Sequence, residues 1–396
     1  MRANRALVIE PAASWRRLQQ SSEFFFEDLD AQMKAHHREF LEALMGYERQ
    51  CFLNARPYER TDQRVDQANG FYERQLTTRL GVLDLRVPRT RSGCFHSQVL
   101  PRYQRREPVV NEALKQVFLL GVSTRQTGRA LATLVEEAVS ASTVSAVAKV
   151  LDATVGRWHR RPLTDHYRYL ILDAVSVRIR LVGAVQRRMA LCAYGLTREG
   201  KRELIDFQIV KAEAEDTWHG FLWGLWSRGL RGQFLELIVT DGHAGLVKAL
   251  GRLWPAVAHQ RCWAHKLRNL ENKLKASQSA GLDQAKLLYQ APHRTEALHR
   301  FRVWKKRWQK EAPKAVACLE QDLEELLAFF DCPSAHWKRV RTTNVIERLF
   351  VEVRRRIRTM CAFTTRSSCE RILFSVFDRM NIYWDLHPLK PFTQKS

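Results

Sequence analysis

The sequence predicts an α/β protein in which a sheet is interrupted by helices and preceded by a helical N-terminal region. Two observations support this fold class. Residues 166–262 alternate between strand-like and helical segments, whereas the flanking residues have mainly helical periodicity. At 396 residues, with 45% hydrophobic content, the chain is long enough for two or three domains with substantial cores.

The net charge and the composition indicate what kind of molecule the protein binds and where in the cell it is found. The formal net charge is +23 and the pI is near 10.1, with basic residues spread along the whole chain, which indicates a polyanion such as DNA or RNA. No apolar run approaches the roughly 18 residues of a membrane span, and residues 1–20 lack the apolar core of a signal peptide. The eight cysteines form no Cys-x-x-Cys pair, as is typical of reduced thiols. We therefore expect a soluble cytoplasmic protein without membrane contacts.

Residues 1–105 are expected to form an N-terminal helix and a basic β-ribbon. Within residues 22–54 the apolar residues form one helical stripe, which we interpret as a packing or self-association surface: Phe26, Leu29, Met33, Phe40, Leu41, Leu44 and Met45. Leu83, Leu85 and Val87 alternate with polar residues between Gly81 and Pro88, a pattern typical of a strand. The outward positions of the ribbon are basic and could follow a phosphate backbone, but a solvated edge hairpin is equally compatible with the pattern.

Residues 106–160 contain three helical segments separated by short breaks, at 109–120, 123–134 and 142–151. In the third segment Val144, Val147, Ala148 and Leu151 share one face. Small polar residues and a lysine face outward from this segment: Ser142, Thr143, Ser145 and Lys149. The pattern is typical of the second helix of a helix-turn-helix, whose outward side chains face base edges in DNA. A three-helix bundle without a DNA function has the same periodicity and remains an alternative.

Residues 161–264 are expected to be the first part of the sheet domain. Strands are predicted at 169–180, 188–194, 203–210, 234–239 and 257–261, with helices at 213–228 and 244–253. The order is three strands, helix, strand, helix, strand, and the short turns favour an antiparallel meander for the first three strands. With a later helix that carries Glu347, this is the order of a ribonuclease-H-like fold.

An all-helical insertion is predicted at residues 265–336, which are rich in Leu, Lys, Glu and Trp at helical spacing and poor in strand formers. Trp304 and Trp308 are expected to pack inside this insertion. The basic residues near them could contact a DNA end: Lys305, Lys306, Arg307 and Lys310. The sheet domain is expected to resume at residues 337–396, which include further C-terminal helices.

Residues 337–360 are predicted to form an amphipathic helix with Val345, Leu349 and Val353 facing the core. Glu347 shares its stripe with two arginines, so a carboxylate lies at one end of a basic track. The arginines around Glu347 are Arg341, Arg348, Arg354, Arg355, Arg356 and Arg358. An alternative interpretation is that Asn344 is the N-cap, that Glu347 completes a capping box and that the arginines are merely solvated.

Asp173 and Asp241 are the other candidate site residues. Asp173 lies in an apolar strand, where an unpaired charge costs several kcal/mol unless a cation or hydrogen-bond donors compensate it. Asp241 follows a buried strand, at the end where α/β sheets place ligand-binding groups. Alternatives are an ion pair from Asp173 to Arg178 or Arg180, and an ordinary turn or helix cap at Asp241.

Convergence of Asp173, Asp241 and Glu347 would favour bound divalent cations, because three carboxylates in one place repel each other and raise each other's pKa. Oxygen-only ligands favour Mg²⁺ or Mn²⁺, and two such ions suit phosphoryl displacement.

Six blocks follow one another in residues 65–380: NGFYERQLTTRLGVLDLRVPRTRSGCF, GVSTRQTGRAL with SASTVS, YRYLILDAVSVRIR, EAEDTWHGFLWGLWSRGL, VTDGHAGLVKALGRLWPAVAHQRCWAHKLRN and WKRVRTTNVIERLFVEVRRR. In this order they resemble the Mutator-type transposases of bacterial insertion sequences, the insertion-sequence 256 family. The resemblance implies that Asp173, Asp241 and Glu347 are a DDE triad and that a helical insertion separates the second residue from the third.

The resemblance also points to Cys262, His265 and Trp218 as family motif residues. The Cys-x-x-His pair alone could suggest zinc, but no second ligand pair at zinc-finger spacing follows, so a positional role beside the active site is expected. For Trp218 we expect packing in the core under the sheet.

The function implied by the resemblance is that of a DNA transposase. It would cleave a phosphodiester at the transposon ends and join the resulting 3′-OH to DNA, with Mg²⁺ or Mn²⁺. The implied partners are double-stranded DNA, as terminal inverted repeats and as target, and a second copy of the chain, because two ends must be joined. A bacterial, nucleoid-associated location follows. The alternatives are a helix-turn-helix protein that recognises ends without cutting them and a ribonuclease-H-like nuclease that cuts without joining.

Overall fold

The structure is a computed structural model that describes residues 11–119, 126–129, 132, 139–181, 183–358 and 361–389. The chain forms two compact units, Met1–Lys149 and Val150–Ser396. Within the described ranges, no helix is both long and apolar enough to cross a membrane.

The first unit contains helices and a two-stranded ribbon. Its described elements are α1 (Pro11–Gln20), α2 (Ser22–Leu53), β1 (Ala68–Thr78), β2 (Gly81–Thr90), α3 (Pro108–Leu119) and α4 (Ala141–Lys149). β1 and β2 pair antiparallel, with Leu76 opposite Leu83. Leu83, Leu85 and Val87 are buried with Met45 of α2, because alternate residues of a strand share a face. The predicted long helix and β-ribbon are confirmed.

The apolar stripe of α2 is buried only near the end of the helix. Met45 is fully buried and Leu41 is half-buried, because β2 and the segment after it pack there. Along this contact the carboxylate of Glu42 accepts a hydrogen bond from Arg86 N at 2.8 Å. The other members of the stripe are exposed: Phe26, Leu29, Met33, Phe40 and Leu44. Packing within the first unit therefore explains only one end of the stripe.

The helices expected at 109–120 and 142–151 are present as α3 and α4, whereas most of the segment at 123–134 lies outside the described residues. Ser140 begins α4 as its cap, since Ser140 Oγ accepts a hydrogen bond from Thr143 N at 3.1 Å. Val144 and Ala148 are buried, as predicted. The outward residues are exposed (Ser142 and Lys149) or half-buried (Thr143 and Ser145).

The second unit is built around a mixed sheet. Its first elements are α5 (Leu151–Arg160), β3 (Tyr167–Leu181), β4 (Ala184–Thr197), β5 (Arg202–Val210), α6 (Glu215–Ser227), β6 (Leu237–Thr240), α7 (Ala244–Leu253) and β7 (Ala258–Arg261). The strand order is β5-β4-β3-β6-β7, antiparallel among β3, β4 and β5 and parallel among β3, β6 and β7. The predicted α/β class and element order are confirmed, and β6 is shorter than the predicted 234–239 segment.

Helices cover both faces of this sheet. Leu170, Leu172 and Ile238 lie on the face covered by α6 and α7, where Trp218 is fully buried, as expected. The opposite face packs on the C-terminal helix α15 (Arg366–Leu386), where the ring centroids of Phe207 and Phe377 are 5.1 Å apart. Residues alternate between the faces along each strand.

Residues 262–336, all described, contain no strand, which agrees with the predicted helical composition. The helices are α8 (Trp263–Glu271), α9 (Ser279–Lys286), α10 (Arg294–Trp308), α11 (Pro313–Gln321) and α12 (Leu323–Leu327). Trp304 and Trp308 are buried in this layer, and the indole Nε1 of Trp304 donates to Gly281 O at 2.9 Å. These tryptophans therefore pack as expected.

The single helix predicted for residues 337–360 is interrupted. A short helix, α13 (Trp337–Val340), precedes α14 (Asn344–Arg358), and residues 341–343 separate them. Glu347 N donates to Thr343 O at 3.0 Å, so the residue before the first turn of α14 is Thr343. The Asn344 capping box is therefore wrong. Leu349 and Val353 are buried, as predicted, together with Phe350, whereas Val345 is only half-buried.

Candidate active site

One row of residues crosses the three parallel strands at equivalent positions. Residue 171 of β3 pairs with residue 239 of β6, which pairs with residue 260 of β7. Two residues further along the three segments are Asp173, Asp241 and Cys262. Cys262 N donates to Thr240 O at 2.7 Å, which extends the pairing beyond the strand ends. Since neighbouring strands are about 4.8 Å apart, this register brings the two aspartates together on the face opposite α6 and α7.

Asp173 is buried, with 9% of its surface exposed. Burial raises the pKa of Asp173 to about 7, and the negative charges of Asp241 and Glu347 act in the same direction. A 2.7 Å hydrogen bond from Ala174 N and the charge of His265 oppose this rise in pKa. Among the described residues, Asp173 makes no ion pair with either arginine proposed as its partner. The negative charges of Asp241 and Glu347 therefore reach Asp173.

Asp241 lies in a tight turn between β6 and α7. Its Oδ1 accepts a hydrogen bond from His243 N at 2.9 Å, and Thr240 Oγ1 accepts one from Gly242 N at 3.0 Å. Gly242 has φ +83°, and a Cβ there would lie 2.4 Å from Arg261 Nε. This positive φ favours glycine and would strain any other residue, so the sequence supports this turn directly after Asp241.

Glu347 projects from the first turn of α14 toward α8. Its Oε1 lies 3.5 Å from His265 Nε2 and 3.6 Å from Arg268 Nη2. Glu347 is therefore held by two basic side chains of α8, and its charge reaches Asp173.

Cys262, in the same row as the two aspartates, and His265 of α8 influence each other electrostatically. Interaction with the neighbouring side chain of Cys262 raises the pKa of His265 to about 9, although burial acts against this rise. Thr343 N and Thr343 Oγ1 donate to Cys262 Sγ at 3.3 and 3.4 Å, and these donors and His265 lower the pKa of the buried thiol against the effect of desolvation. The pair thus links β7, α8 and the start of α14.

The donor chemistry of this site fits a hard divalent cation, because three carboxylates supply oxygen ligands and the charges of Asp241 and Glu347 raise the pKa of Asp173. In the part of the chain that the structure describes, no three Asp, Glu, His or Cys side chains are close enough to enclose a metal ion as they stand. Glu347 is instead engaged by His265 and Arg268.

Four of the arginines around Glu347 lie in two different cavities. Arg354 and Arg358 line a cavity of about 480 Å³ together with Ser176 and Arg178 of β3. Arg341 and Arg348 line a second cavity of about 440 Å³. Arg355 is exposed and lies 3.7 Å from a carboxylate oxygen of Glu352, away from both cavities. The two arginines predicted to share the stripe of Glu347, Arg354 and Arg358, thus line one cavity, and the other arginines point elsewhere because successive residues of a helix point about 100° apart.

Two further acidic groups near the site were missed by the sequence analysis. Burial raises the pKa of Glu213, and the neighbouring charge of Asp241 adds to the rise. Asp322 is buried and pairs with Lys266 and with Arg261, whose Nη1 lies 3.0 Å from Asp322 Oδ1. Glu213 lies in an acidic run just before α6, a weak signal, and nothing local marks Asp322.

Residues 9–386 match the family described as Transposase, Mutator family. The chain belongs to the Mutator family of transposases. It is 37% identical over 322 residues to the transposase for insertion sequence element ISRM5 of Rhizobium meliloti, covering 81% of this chain and 80% of the relative. It is 38% identical over 342 residues to the transposase for IS406 of Burkholderia multivorans, covering 85% and 87%.

A third relative of this Mutator-family chain is the transposase for IS256 in transposon Tn4001 of Staphylococcus aureus, 34% identical over 348 residues that cover 86% of this chain and 88% of the relative. The resemblance to the insertion-sequence 256 family is therefore confirmed.

Proposed function

We propose that the chain is a DDE transposase that cuts DNA at transposon ends and joins the exposed 3′-OH to DNA, with Asp173, Asp241 and Glu347 as its catalytic residues. The observation that carries this proposal is the register of the sheet, which aligns Asp173 with Asp241 while Glu347 is near enough to raise the pKa of Asp173. Family membership supports the reaction class.

In this mechanism Asp173, Asp241 and Glu347 would hold two Mg²⁺ or Mn²⁺ ions. When bound, such ions activate an attacking oxygen and stabilise the departing one. In the first step a water oxygen bonds to phosphorus and the bond to the 3′ oxygen breaks, which leaves a 3′-OH and a 5′-phosphate. In the second step that 3′-OH attacks a phosphorus of the target strand and displaces its 3′ oxygen.

The remaining residues of the site would bind the DNA strand or position a catalytic residue. Arg178, Arg354 and Arg358 line one open cavity and would neutralise phosphate charge as the strand passes along β3. His265 and Cys262 would position Glu347, because the ion pair of His265 with Glu347 and the hydrogen bond from Thr343 N to Cys262 Sγ connect α8 to the start of α14.

We also propose the finer architecture. The strand order β5-β4-β3-β6-β7 followed by α14 supports a ribonuclease-H-like core. Residues 265–336 would be its insertion, and residues 337–396 would complete the core. For residues 106–160 we propose a helix-turn-helix that binds double-stranded DNA through Ser142, Thr143, Ser145 and Lys149.

A strand-transfer assay on labelled DNA carrying the inverted repeats that flank the gene tests the proposal. We expect cleavage and joining in Mg²⁺. Cleavage without joined product would instead identify a nuclease. Binding that survives EDTA, with no cleavage in Mg²⁺ or Mn²⁺, would identify a DNA-binding protein without catalysis.

We further propose that the chain is a homodimer that uses the exposed stripe of α2. Phe26, Met33, Phe40 and Tyr47 are exposed at seven-residue intervals, the spacing of a coiled-coil seam. The double substitution Met33→Glu/Phe40→Glu places charge in this seam, so we expect a monomer by light scattering where the parent chain is a dimer. Ala31→Glu, on the other side of α2, is the control and should leave the mass unchanged. A dimer that survives the double substitution contradicts this interface.

A further inference from the structure

A cavity of about 440 Å³ in the second unit lies beside the proposed catalytic site but contains none of the three carboxylates. Its walls come from β5, α8, the segment after α9, the α13–α14 junction and α15. Trp263 begins α8 immediately after Cys262, and Arg348 follows Glu347 on α14. The cavity and the carboxylate site therefore share two walls.

The cavity is positively charged. Five basic residues line it and no aspartate or glutamate does: Arg202, Lys338, Arg339, Arg341 and Arg348. Within the described part of the chain, these five side chains make no ion pair with a carboxylate, whereas neighbouring Arg261, Lys266 and Arg268 all do. Burial lowers the pKa of Arg202 and of Arg341, which reflects the cost of placing this charge away from water. An anionic ligand would offset that cost.

Three aromatic rings line the cavity: Trp263 and Trp384 are buried, and Tyr289 is half-buried. The ring of Tyr289 lies 5.2 Å from the ring of Trp263 and 4.7 Å from Arg341 Cζ. Arg341 is held there, since its Nη1 donates to Tyr289 O at 3.0 Å and its carbonyl accepts from Trp263 N at 3.1 Å. Also lining the cavity, Arg202 Cζ lies 5.5 Å from the ring of Trp384. Rings and guanidinium planes of this kind are platforms for nucleobases.

We propose that this cavity binds one unpaired nucleotide of the DNA strand, with its base against Tyr289 and its phosphates on Arg339 and Arg348, next to the phosphate that is cut. The volume suits a single nucleotide, and a base paired inside a duplex cannot enter without leaving the stack. This inference rests on the proposed function, because the shared walls of α8 and α14 place the nucleotide beside Glu347.

The test uses the full chain in EDTA, so that no cleavage occurs. The probes are a fluorescein-labelled duplex with a four-nucleotide single-stranded overhang that contains 2-aminopurine, and the blunt duplex of the same sequence. We expect the overhang duplex to bind about tenfold tighter than the blunt one and 2-aminopurine fluorescence to change on binding, as base stacking on an aromatic side chain predicts. Tyr289→Leu should abolish both effects, whereas Tyr289→Phe, which keeps the ring, should retain them.

The contribution of the positive charge of the cavity to DNA binding is tested separately with the double variant Arg339→Ala/Arg348→Ala. We expect weaker binding of the overhang duplex and a salt dependence reduced by about 1.4 in slope, the value for two phosphate contacts on a single strand. Arg198→Ala/Lys248→Ala removes the same charge from exposed positions outside the cavity and should leave the preference for the overhang unchanged. All variants should match the parent chain in thermal unfolding.

The inference would be overturned if both duplexes bound equally or if Tyr289→Leu kept the preference for the overhang. It would also be overturned if millimolar dAMP displaced the overhang, because the cavity would then be a site for free nucleotide. These measurements need no catalysis. A chain that joins ends but shows no overhang preference overturns this inference alone, and one that prefers the overhang but never cuts in Mg²⁺ overturns the proposed function alone.

Discussion

Asp241→Asn should reduce end cleavage and strand transfer by at least about 10³-fold, since removing one member of a catalytic set that acts as a unit abolishes most of its rate enhancement. The physical reason is local. An asparagine side chain keeps an oxygen that can accept from His243 N, so the turn after β6 persists, but the charge that would hold a cation beside Asp173 is lost. The measurement is single-turnover cleavage of labelled ends in Mg²⁺.

Asp216→Asn is a suitable control for Asp241→Asn. Asp216 is an exposed aspartate in the first turn of α6, and its replacement should leave the cleavage rate within about twofold. Unfolding of both variants should follow that of the parent chain. A folded Asp241→Asn protein that still cleaves and joins ends would contradict the assignment of this residue.

Asp322→Ala should destabilise the second unit by about 3–5 kcal/mol, because it leaves two cations without their partner. Lys266 and Asp322 are almost fully buried, and Arg261 Nη1 lies 3.0 Å from Asp322. The ion pairs of Asp322 with Arg261 and Lys266 connect the end of α11 to β7 and α8. Arg261 also packs under Gly242, so cleavage should fall together with stability. The measurement is the free energy of unfolding in urea.

Asp283→Ala provides a matched control in the same helical segment. Asp283 pairs with Lys286 at 2.8 Å, but both side chains are exposed, and such surface pairs contribute about 0–1 kcal/mol. If Asp322→Ala unfolds within about 1 kcal/mol of Asp283→Ala, the buried group does not hold this part of the fold together.

Much of the sheet domain could be predicted because its signals are local. Strand alternation and helical periodicity identify β3 to β7 and the helices between them in the right order. Asp173 and Asp241 stand out because each is a charge in or beside an apolar strand. Glu347 stands out for its position on an arginine-rich helix.

The structural features that could not be predicted from the sequence depend on contacts between segments that are distant in the chain. The register that aligns Asp173 with Asp241 is set by strand pairing, which no local pattern encodes. Thr343 rather than Asn344 precedes α14, and its hydroxyl donates to Cys262, far earlier in the chain. The exposed half of the α2 stripe looks the same in sequence as its buried end, since periodicity marks a face without showing what covers it.

The central claim is that Asp173, Asp241 and Glu347 hold a divalent cation together, and iron-directed cleavage of the polypeptide tests it most directly. Fe²⁺ replaces Mg²⁺ in the full chain, and ascorbate with peroxide then generates hydroxyl radicals at the bound ion, which cut the nearby backbone. We expect fragments that map next to residues 173, 241 and 347, that are suppressed by excess Mg²⁺ and that are lost in Asp241→Asn. Fragments near only one of these positions, or cuts that persist in Asp241→Asn, would contradict a shared metal site.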